Sequence, residues 1–304
     1  MREGLTSAGA TDKPVLGPNA RCSGGIAHQE LGRTMTSPLP DAPELAALHG
    51  AIRQALQEAA DPAVAASSRR FNKNADFACY GVSVPAFRPI ARSFRPAFRA
   101  LSVDQRLALA LRLAASGISE EANVAVSLLA LSVGELTPGC FGRLDGIIGQ
   151  FHDWGATDGF ALYVIQPLLL RFPDQTLGLL RAWNRSTSRW KRRASVVSFT
   201  RQVGQSGRFT DVALELCESL ADDADDLVQK AVGWCLKDNL RGDAERVLGY
   251  ILDLRRRGAP ATVTLYALRD LKGPERAAAL AVRSAKRKRH GGKLAAGLVD
   301  RPAA

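Results

Sequence analysis

The sequence predicts an all-α fold, an α-solenoid of stacked helical repeats with a concave basic face. Apolar residues recur at helical spacing over most of the chain after residue 40. No segment shows the alternation between hairpin turns that is typical of strands. At 304 residues and 46% hydrophobic composition, the chain is long enough and apolar enough to bury a sizeable core.

The N-terminal part is predicted to be a disordered tail over residues 1–40, which mix Gly, Ser, Thr and Pro with few large apolar residues. A first helix is predicted from Asp41 to Ala59 and a second from Ala63 to Phe71. Gly81 then permits a tight turn, and Pro89 is predicted to leave an irregular turn in the helix that follows.

The rest of the chain up to residue 285 is predicted to form a series of helices. Ser102 and Gln105 form the pattern of a capping box, and Ser119 is predicted to cap the next helix. Helix pairs recur at roughly 35 to 40 residues, which is typical of HEAT-like repeats. The predicted domain therefore covers residues 41–285, with a basic flexible tail at 286–304. Further helices are predicted at 138–151, 155–171, 174–183, 188–203, 210–220, 226–239, 243–257, 260–271 and 274–285.

The charge balance favours an anionic partner, since the net charge is +11 and the isoelectric point is near 9.9. The five cysteines are scattered, without a CxxC pair, so neither a disulfide framework nor a metal cluster is predicted, and a reducing compartment is implied. The longest apolar run, residues 160–170, is too short to span a bilayer, and no secretory signal is evident. The chain is expected to be cytoplasmic and to need no cofactor.

A cationic helix lies near the middle of the chain. From Arg181 to Arg201 there are seven basic residues and no Asp or Glu. The helix is predicted to begin with Ser186 or Ser188 as its cap, and Arg193 falls on its apolar stripe. A guanidinium there needs a carboxylate or a phosphate to meet it. We expect Arg193 to face a groove, although pairing with the acidic cluster at 222–226 is left open.

Five segments follow one another along the chain: Tyr80-Gly81-Val82, Val84-Pro85, Trp154-Gly155-Ala156-Thr157-Asp158, Trp183-x6-Trp190-x2-Arg193-Ala194 and Asp226-Leu227-Val228-Gln229-Lys230-Ala231-Val232-Gly233-Trp234. Together they resemble the AlkD-type DNA alkylation repair family over roughly residues 44 to 285. The resemblance implies a HEAT-like-repeat DNA glycosylase. It further implies that Trp154 and Trp234 flank the deoxyribose, that Asp158 is the catalytic carboxylate, and that Arg193 contacts a phosphate. Gly155 departs from the family pattern, which commonly has an acidic residue there.

The same residues can also be interpreted as having ordinary structural roles. Trp183 and Trp190 are interpreted as packing residues. Asp158 alone would suit an ordinary carboxylate near a helix N-terminus, and its position four residues after Trp154 together with the family resemblance favours a functional role. The neighbouring basic residues are predicted to bind DNA, but the sequence does not decide whether Lys230 or His152 takes part in the reaction. The full DNA-binding set is Arg193, Arg189, Lys191, Arg192 and Lys230.

The predicted function is therefore that of a monofunctional DNA-alkylpurine N-glycosylase. It would release 3-methyladenine and 7-methylguanine by hydrolysis in base-excision repair, acting as a monomer on double-stranded DNA with alkylated bases. One alternative is a non-catalytic DNA-binding repeat protein that recognises damaged or branched DNA, and another is a protein-interaction scaffold. The sequence does not decide the preferred lesion.

Overall fold

The computed structural model describes residues 43–72, 74 and 76–282, which form α-helices joined by short turns. These residues lie within a single compact unit and contain no β-strand, only one isolated bridge between Ala78 and Ile118. None of their helices is long and apolar enough to cross a membrane. The helices are α1 (Pro43–Glu58), α2 (Pro62–Asn72), α3 (Val84–Ser93), α4 (Arg95–Ala100), α5 (Val103–Ala114), α6 (Ser119–Leu129), α7 (Phe141–Ile148), α8 (Trp154–Phe160), α9 (Gln166–Arg171), α10 (Pro173–Asn184), α11 (Arg189–Val197), α12 (Arg201–Gln205), α13 (Thr210–Ser219), α14 (Asp226–Asn239), α15 (Ala244–Arg257), α16 (Ala261–Ala267) and α17 (Gly273–Ala281).

The helices stack in two rows. An inner row runs through α6, α8, α11, α14 and α16, and each of these helices packs against the next. Outer helices cover it, with α5 on α6, α10 on α11 and α13 on α14. Each repeat contacts mainly its neighbours, which is the arrangement of a solenoid. The predicted all-α repeat fold is confirmed. The two predicted tails, 1–40 and 286–304, lie outside the described residues.

The inner helices owe their place to buried apolar stripes. In α14 the stripe contains Val228, Ala231, Val232, Cys235 and Leu236, each with an exposed fraction of zero. Full burial of the larger of these side chains, Val and Leu, stabilises the folded state by about 1.5–3 kcal/mol each. The opposite face of the same helix is free to carry polar and aromatic groups, and this is the face that lines the groove described below.

Several predicted helix ends need correction. The capping box of Ser102 and Gln105 is present, with the side chain of each accepting from the backbone N–H of the other. Ser119 is the first residue of α6 rather than its cap, and that position belongs to Ile118. Ser188 occupies the N-cap position of α11, as predicted, but its side chain makes no cap hydrogen bond, and its backbone N–H donates to the Ser186 hydroxyl at 3.1 Å in a local turn.

Two predictions about helix continuity were wrong. Pro89 lies inside α3 with no irregular turn, since the ten-residue helix tolerates the single lost backbone hydrogen bond. The helix predicted at 188–203 is broken instead, with α11 ending at Val197 and α12 beginning at Arg201. Arg201 has a left-handed backbone, with φ at 53°. No propensity signal in the sequence marks this break.

The loop before α3 is held by two consecutive glutamates. Glu120 accepts the backbone N–H groups of Tyr80, Gly81 and Val82 at 3.0, 2.8 and 3.0 Å. Gly81 has φ at 91°, and a Cβ there would lie 2.4 Å from a backbone carbonyl oxygen. The fully buried Glu121 accepts from the Tyr80 hydroxyl at 2.6 Å and also binds His49 and Arg53 of α1. The Tyr80-Gly81-Val82 motif is therefore an anchor between repeats.

Candidate active site

A groove with a volume of about 980 Å³ follows the inner row of helices. Residues from α6, α8, α11, α14 and α16 line it, so every inner helix contributes to one surface. Among the described residues its lining includes five aromatic, five basic and two acidic side chains. They are Phe71, Trp154, Tyr163, Trp234 and Tyr266; Arg70, Arg189, Arg193, Arg201 and Lys230; and Asp158 and Asp226.

Asp158 lies in the wall of this groove. The side chain of Asp153 accepts the Ala156 N–H at 2.9 Å and so starts α8 at Trp154. Trp154 and Asp158 are then one helical turn apart and share a face. Asp158 has an exposed fraction of 8%, and Arg193 Nε and Nη2 donate to its two carboxylate oxygens, each at 2.7 Å.

Arg193 connects three inner helices. Besides the pair with Asp158 of α8, its Nη1 donates to the Leu227 carbonyl in α14. Burial raises the pKa of the Asp158 carboxyl above its ordinary value, while the charges of Arg193 and Arg201 oppose this shift. Both carboxylate oxygens accept charge-assisted hydrogen bonds, which hold the anion in one orientation. The site thus presents an oriented carboxylate.

The two predicted tryptophans lie in the same groove as Asp158. The Trp154 ring meets Phe71 edge to face, with 6.0 Å between ring centroids. The Trp234 indole Nε1 donates to Asp238 Oδ2 at 2.8 Å, and the guanidinium carbon of Arg201 lies 5.8 Å from its ring centroid. Aromatic faces beside a carboxylate form a surface that attracts positive charge.

Two glycines of α8, Gly155 and Gly159, lie where a side chain would contact neighbouring groups closely. A Cβ on Gly155 would lie 2.9 Å from the capping carboxylate of Asp153, so a side chain there would disturb the start of α8. A Cβ on Gly159 would lie 3.3 Å from Val126 of α6, so the glycine allows these two helices to approach closely. The departure at Gly155 therefore fits the local geometry of α8.

Comparison with known proteins bears on this site. The family model for DNA alkylation repair enzymes matches residues 52–271, which is most of the chain and contains all groove helices. The chain belongs to the DNA alkylation repair enzyme family.

Two solved structures are similar to this family member, and the one with the higher TM-score supports its fold. A predicted DNA alkylation repair enzyme from Enterococcus faecalis is 12% identical with a TM-score of 0.59, over 70% of this chain and 96% of that one. The alkylpurine DNA glycosylase AlkC of Pseudomonas fluorescens, bound to DNA containing an abasic-site analogue, is 17% identical with a TM-score of 0.48, over 75% of this chain and 62% of that one. Among curated proteins, no significant match was found.

The predicted basic surface of this DNA alkylation repair family member needs correction, because acidic residues of neighbouring helices pair with most of it. Arg181 pairs with Glu215, Arg189 with Asp225, Lys191 with Asp145, and Arg192 with Asp223. The stretch from Arg181 to Arg201 is therefore not uniformly cationic at the surface. The acidic cluster considered as a partner for Arg193 binds Arg189 and Arg192 instead.

The predicted DNA-binding residues separate into two groups. Arg193, Arg189 and Lys230 line the groove, the last in an ion pair with Asp226 at 2.7 Å. Lys191 and Arg192 are absent from its described lining. His152 is also outside that lining, and its carbonyl accepts from Asn74 at 2.9 Å.

Sequence reasoning missed other groove residues. Tyr163 has an exposed fraction of 53% and lies in a π-helical turn, Ala161–Ile165, directly after α8. That turn shifts the register of the helix, so a strict 3.6-residue period does not find it. Arg70 and Arg201 are exposed cations in the groove and have no ion pair with another described residue. Arg201 owes its position to a left-handed backbone, which the sequence does not signal.

Proposed function

We propose that this protein is a DNA glycosylase that removes cationic alkylated purines, such as 3-methyladenine and 7-methylguanine, by hydrolysis of the N-glycosidic bond. The observation that carries this proposal is the arrangement of Asp158, Trp154 and Trp234 around one groove. Membership of the DNA alkylation repair family supports it. The enzyme would act in base-excision repair, as a cytoplasmic monomer bound to double-stranded DNA.

The chemistry follows from where charge develops. A purine alkylated at N3 or N7 is already cationic, so the base leaves without much help from a general acid. The deoxyribose becomes oxocarbenium-like in the transition state, and a carboxylate placed beside it stabilises that charge. Asp158 supplies the carboxylate and can orient the attacking water. The faces of Trp154 and Trp234 add about 0.5–2 kcal/mol each in attraction to the cation.

Arg193 has donors left for DNA. A guanidinium carries five N–H donors, and three nitrogen-bound donors of Arg193 serve Asp158 and the Leu227 carbonyl. The remaining N–H groups can bind a phosphate next to the lesion, while the pair with Asp158 keeps the carboxylate in place. Such a phosphate contact fixes position without reading sequence. Arg201 and Arg70, which have no ion pair with another described residue, would add positive charge along the strand.

A non-catalytic DNA-binding role is the second candidate, and one observation favours it. Both oxygens of Asp158 already accept hydrogen bonds from Arg193, which lowers the net negative charge that the site offers to a sugar cation. In that case the groove would bind damaged or branched DNA through its cations and aromatic residues, and no base would be released.

Base release from defined duplexes separates these two functions. The purified protein is incubated with a methylated duplex, with a uracil-containing duplex and with a hypoxanthine-containing duplex, and free bases are quantified by chromatography. Release of 7-methylguanine or 3-methyladenine with little release of the neutral bases is expected. Tight binding without release of any base would establish the non-catalytic function, and efficient release of uracil would mean that the site contains a general acid.

A further inference from the structure

We propose that Asp238 is a positioning residue, which fixes the indole of Trp234 and the backbone of Arg201 so that both face the groove. The inference rests on the proposed function of the groove and names a residue outside its lining. Asp238 lies on α14 one turn after Trp234 and has an exposed fraction of 2%.

Both oxygens of this buried carboxylate have hydrogen-bond or ion-pair partners. Oδ2 accepts the Trp234 indole N–H at 2.8 Å and the backbone N–H of Arg201 at 2.6 Å. Oδ1 lies 2.7 Å from Nζ of Lys237, which also pairs with Asp270 at 3.2 Å. A buried carboxylate with this many donors holds its partners in one geometry, because any rearrangement leaves a buried polar group unpaired.

Arg201 is the second residue that Asp238 controls. Among the described residues it is the non-glycine with a positive φ, at 53°, a conformation that needs support from its surroundings. The Asp238 carboxylate supplies that support at the Arg201 N–H. The guanidinium then lies 5.8 Å from the Trp234 ring centroid and acts electrostatically on Asp158. One carboxylate therefore sets both the edge of the indole and the cation over its face.

The orientation of the indole matters for the proposed reaction. Only the face of an aromatic ring attracts a cation, so a rotated Trp234 would lose its effect on the sugar. With its N–H bound to a buried acceptor on its own helix, the ring is held before DNA arrives. Such preorganisation affects the rate of the chemical step more than the strength of DNA binding.

The chain contains a matched control for this arrangement. Trp183 donates its indole N–H to Asp145 Oδ1 at 2.7 Å, and Lys191 pairs with the same carboxylate at 2.7 Å. Trp183 is buried and is absent from the described lining of the groove. Asp145→Asn therefore removes a carboxylate from an indole and a lysine away from the groove, at a side chain that is 42% exposed where that of Asp238 is 3% exposed.

Excision by Asp238→Asn and Asp145→Asn is compared with the wild type under single-turnover conditions. We expect Asp238→Asn to slow excision by about 10- to 100-fold while the Kd for duplex DNA stays within about twofold. Asp145→Asn should leave the rate nearly unchanged. Equal losses in both variants would overturn the proposal, because the effect would then be general destabilisation.

The Trp234→Phe variant tests whether Asp238 acts through the Trp234 indole. In Trp234→Phe the indole donor is gone, so adding Asp238→Asn should slow excision further only through Arg201, and by less than it slows excision by the wild type. An undiminished loss in that background would show that Asp238 does not act through the Trp234 indole, contrary to the proposal. Asp238→Glu provides a check on folding, since it keeps the charge and should restore part of the rate if the indole is recaptured.

Indole NMR tests the positioning without relying on activity. In ¹⁵N-labelled protein, the Trp234 Nε1–H resonance should move upfield and broaden in Asp238→Asn, while the Trp154 resonance should not. An unchanged Trp234 resonance would refute the proposal even if the wild type is active. A wild type that releases no base would instead refute the proposed glycosylase function, and the NMR result would still decide the role of Asp238.

Discussion

Asp158→Asn is the substitution that most directly tests the candidate site. It keeps the size of the side chain and removes the anion that meets Arg193. Excision should fall by about a hundredfold or more, since a preorganised electrostatic partner of the transition state is lost. DNA binding should persist, because the lost charge is negative and lies in the groove that we propose binds phosphates.

The effect on stability can be worked from the geometry. Breaking a buried ion pair by removing one partner costs about 3–5 kcal/mol. The Asn amide oxygen still accepts one hydrogen bond from Arg193, and a hydrogen bond to a charged group contributes about 1.5–3 kcal/mol. The net loss should be about 2 kcal/mol. For a protein of this size that lowers the Tm by about 4–8 °C. The freed guanidinium should steepen the log–log salt dependence of DNA binding by up to about one unit.

Asp226→Asn is the matched control, because Asp226 also lines the groove but is exposed and pairs with Lys230. Its stability should change by less than about 0.5 kcal/mol and its excision rate should remain close to that of the wild type. Base release, thermal unfolding and salt-dependent anisotropy are measured on the three proteins. Equal excision by Asp158→Asn and the wild type would refute the role of Asp158. A higher Tm in that variant would refute the stabilising ion pair.

Three further predictions concern stability and binding. Glu121→Gln should lower the free energy of unfolding at neutral pH by about 3 kcal/mol, since burial, which raises its pKa, is outweighed by hydrogen bonds that lower it from 4.5 to about 2. A lowered folded pKa contributes stability above pH 4.5 that is lost toward pH 2, so wild type and variant should converge there in circular-dichroism melts. Gly81→Ala should cost about 3 kcal/mol or more in urea unfolding, because the backbone is left-handed and the Cβ would clash. Lys191→Ala and Arg192→Ala should leave the salt slope of DNA binding unchanged, whereas Arg201→Ala should lower it by about one unit.

Local patterns were sufficient to predict most of the fold. The apolar stripe of α11, with Trp190, Arg193, Ala194 and Val197, is buried as its spacing indicates. The capping box at Ser102 is equally local, since donor and acceptor lie three residues apart. The position of the α11 cap at Ser188 was predicted, but its side chain makes no cap hydrogen bond. The left-handed backbone at Arg201 could not be predicted, because the carboxylate that accepts its N–H belongs to Asp238, 37 residues away in the sequence.

One half of the candidate site, Trp154 and Asp158, could be predicted from a single helix, and the remainder could not. Trp154 and Asp158 are four residues apart, so a helical reading places them together. Trp234 is on a different repeat, and only the family resemblance connected it to them. Tyr163 lies in the groove because it is part of a π-helical turn, and Tyr266 lies there because it belongs to a neighbouring repeat. The periodicity of a single helix indicates neither position.

The error about the basic surface has a physical cause that can be turned into a rule for solenoids. Ion pairs between repeats join residues separated by about one repeat: 35 residues for Arg193 and Asp158, 34 for Arg181 and Glu215, and 31 for Arg192 and Asp223. Stacking brings equivalent positions of adjacent repeats together, so the charges that meet a helix are those one repeat length before and after it. A stretch without acids is therefore cationic at the surface only if those positions lack acids as well. The exposed cations Arg70 and Arg201, which have no ion pair with another described residue, are the groove cations most available to DNA.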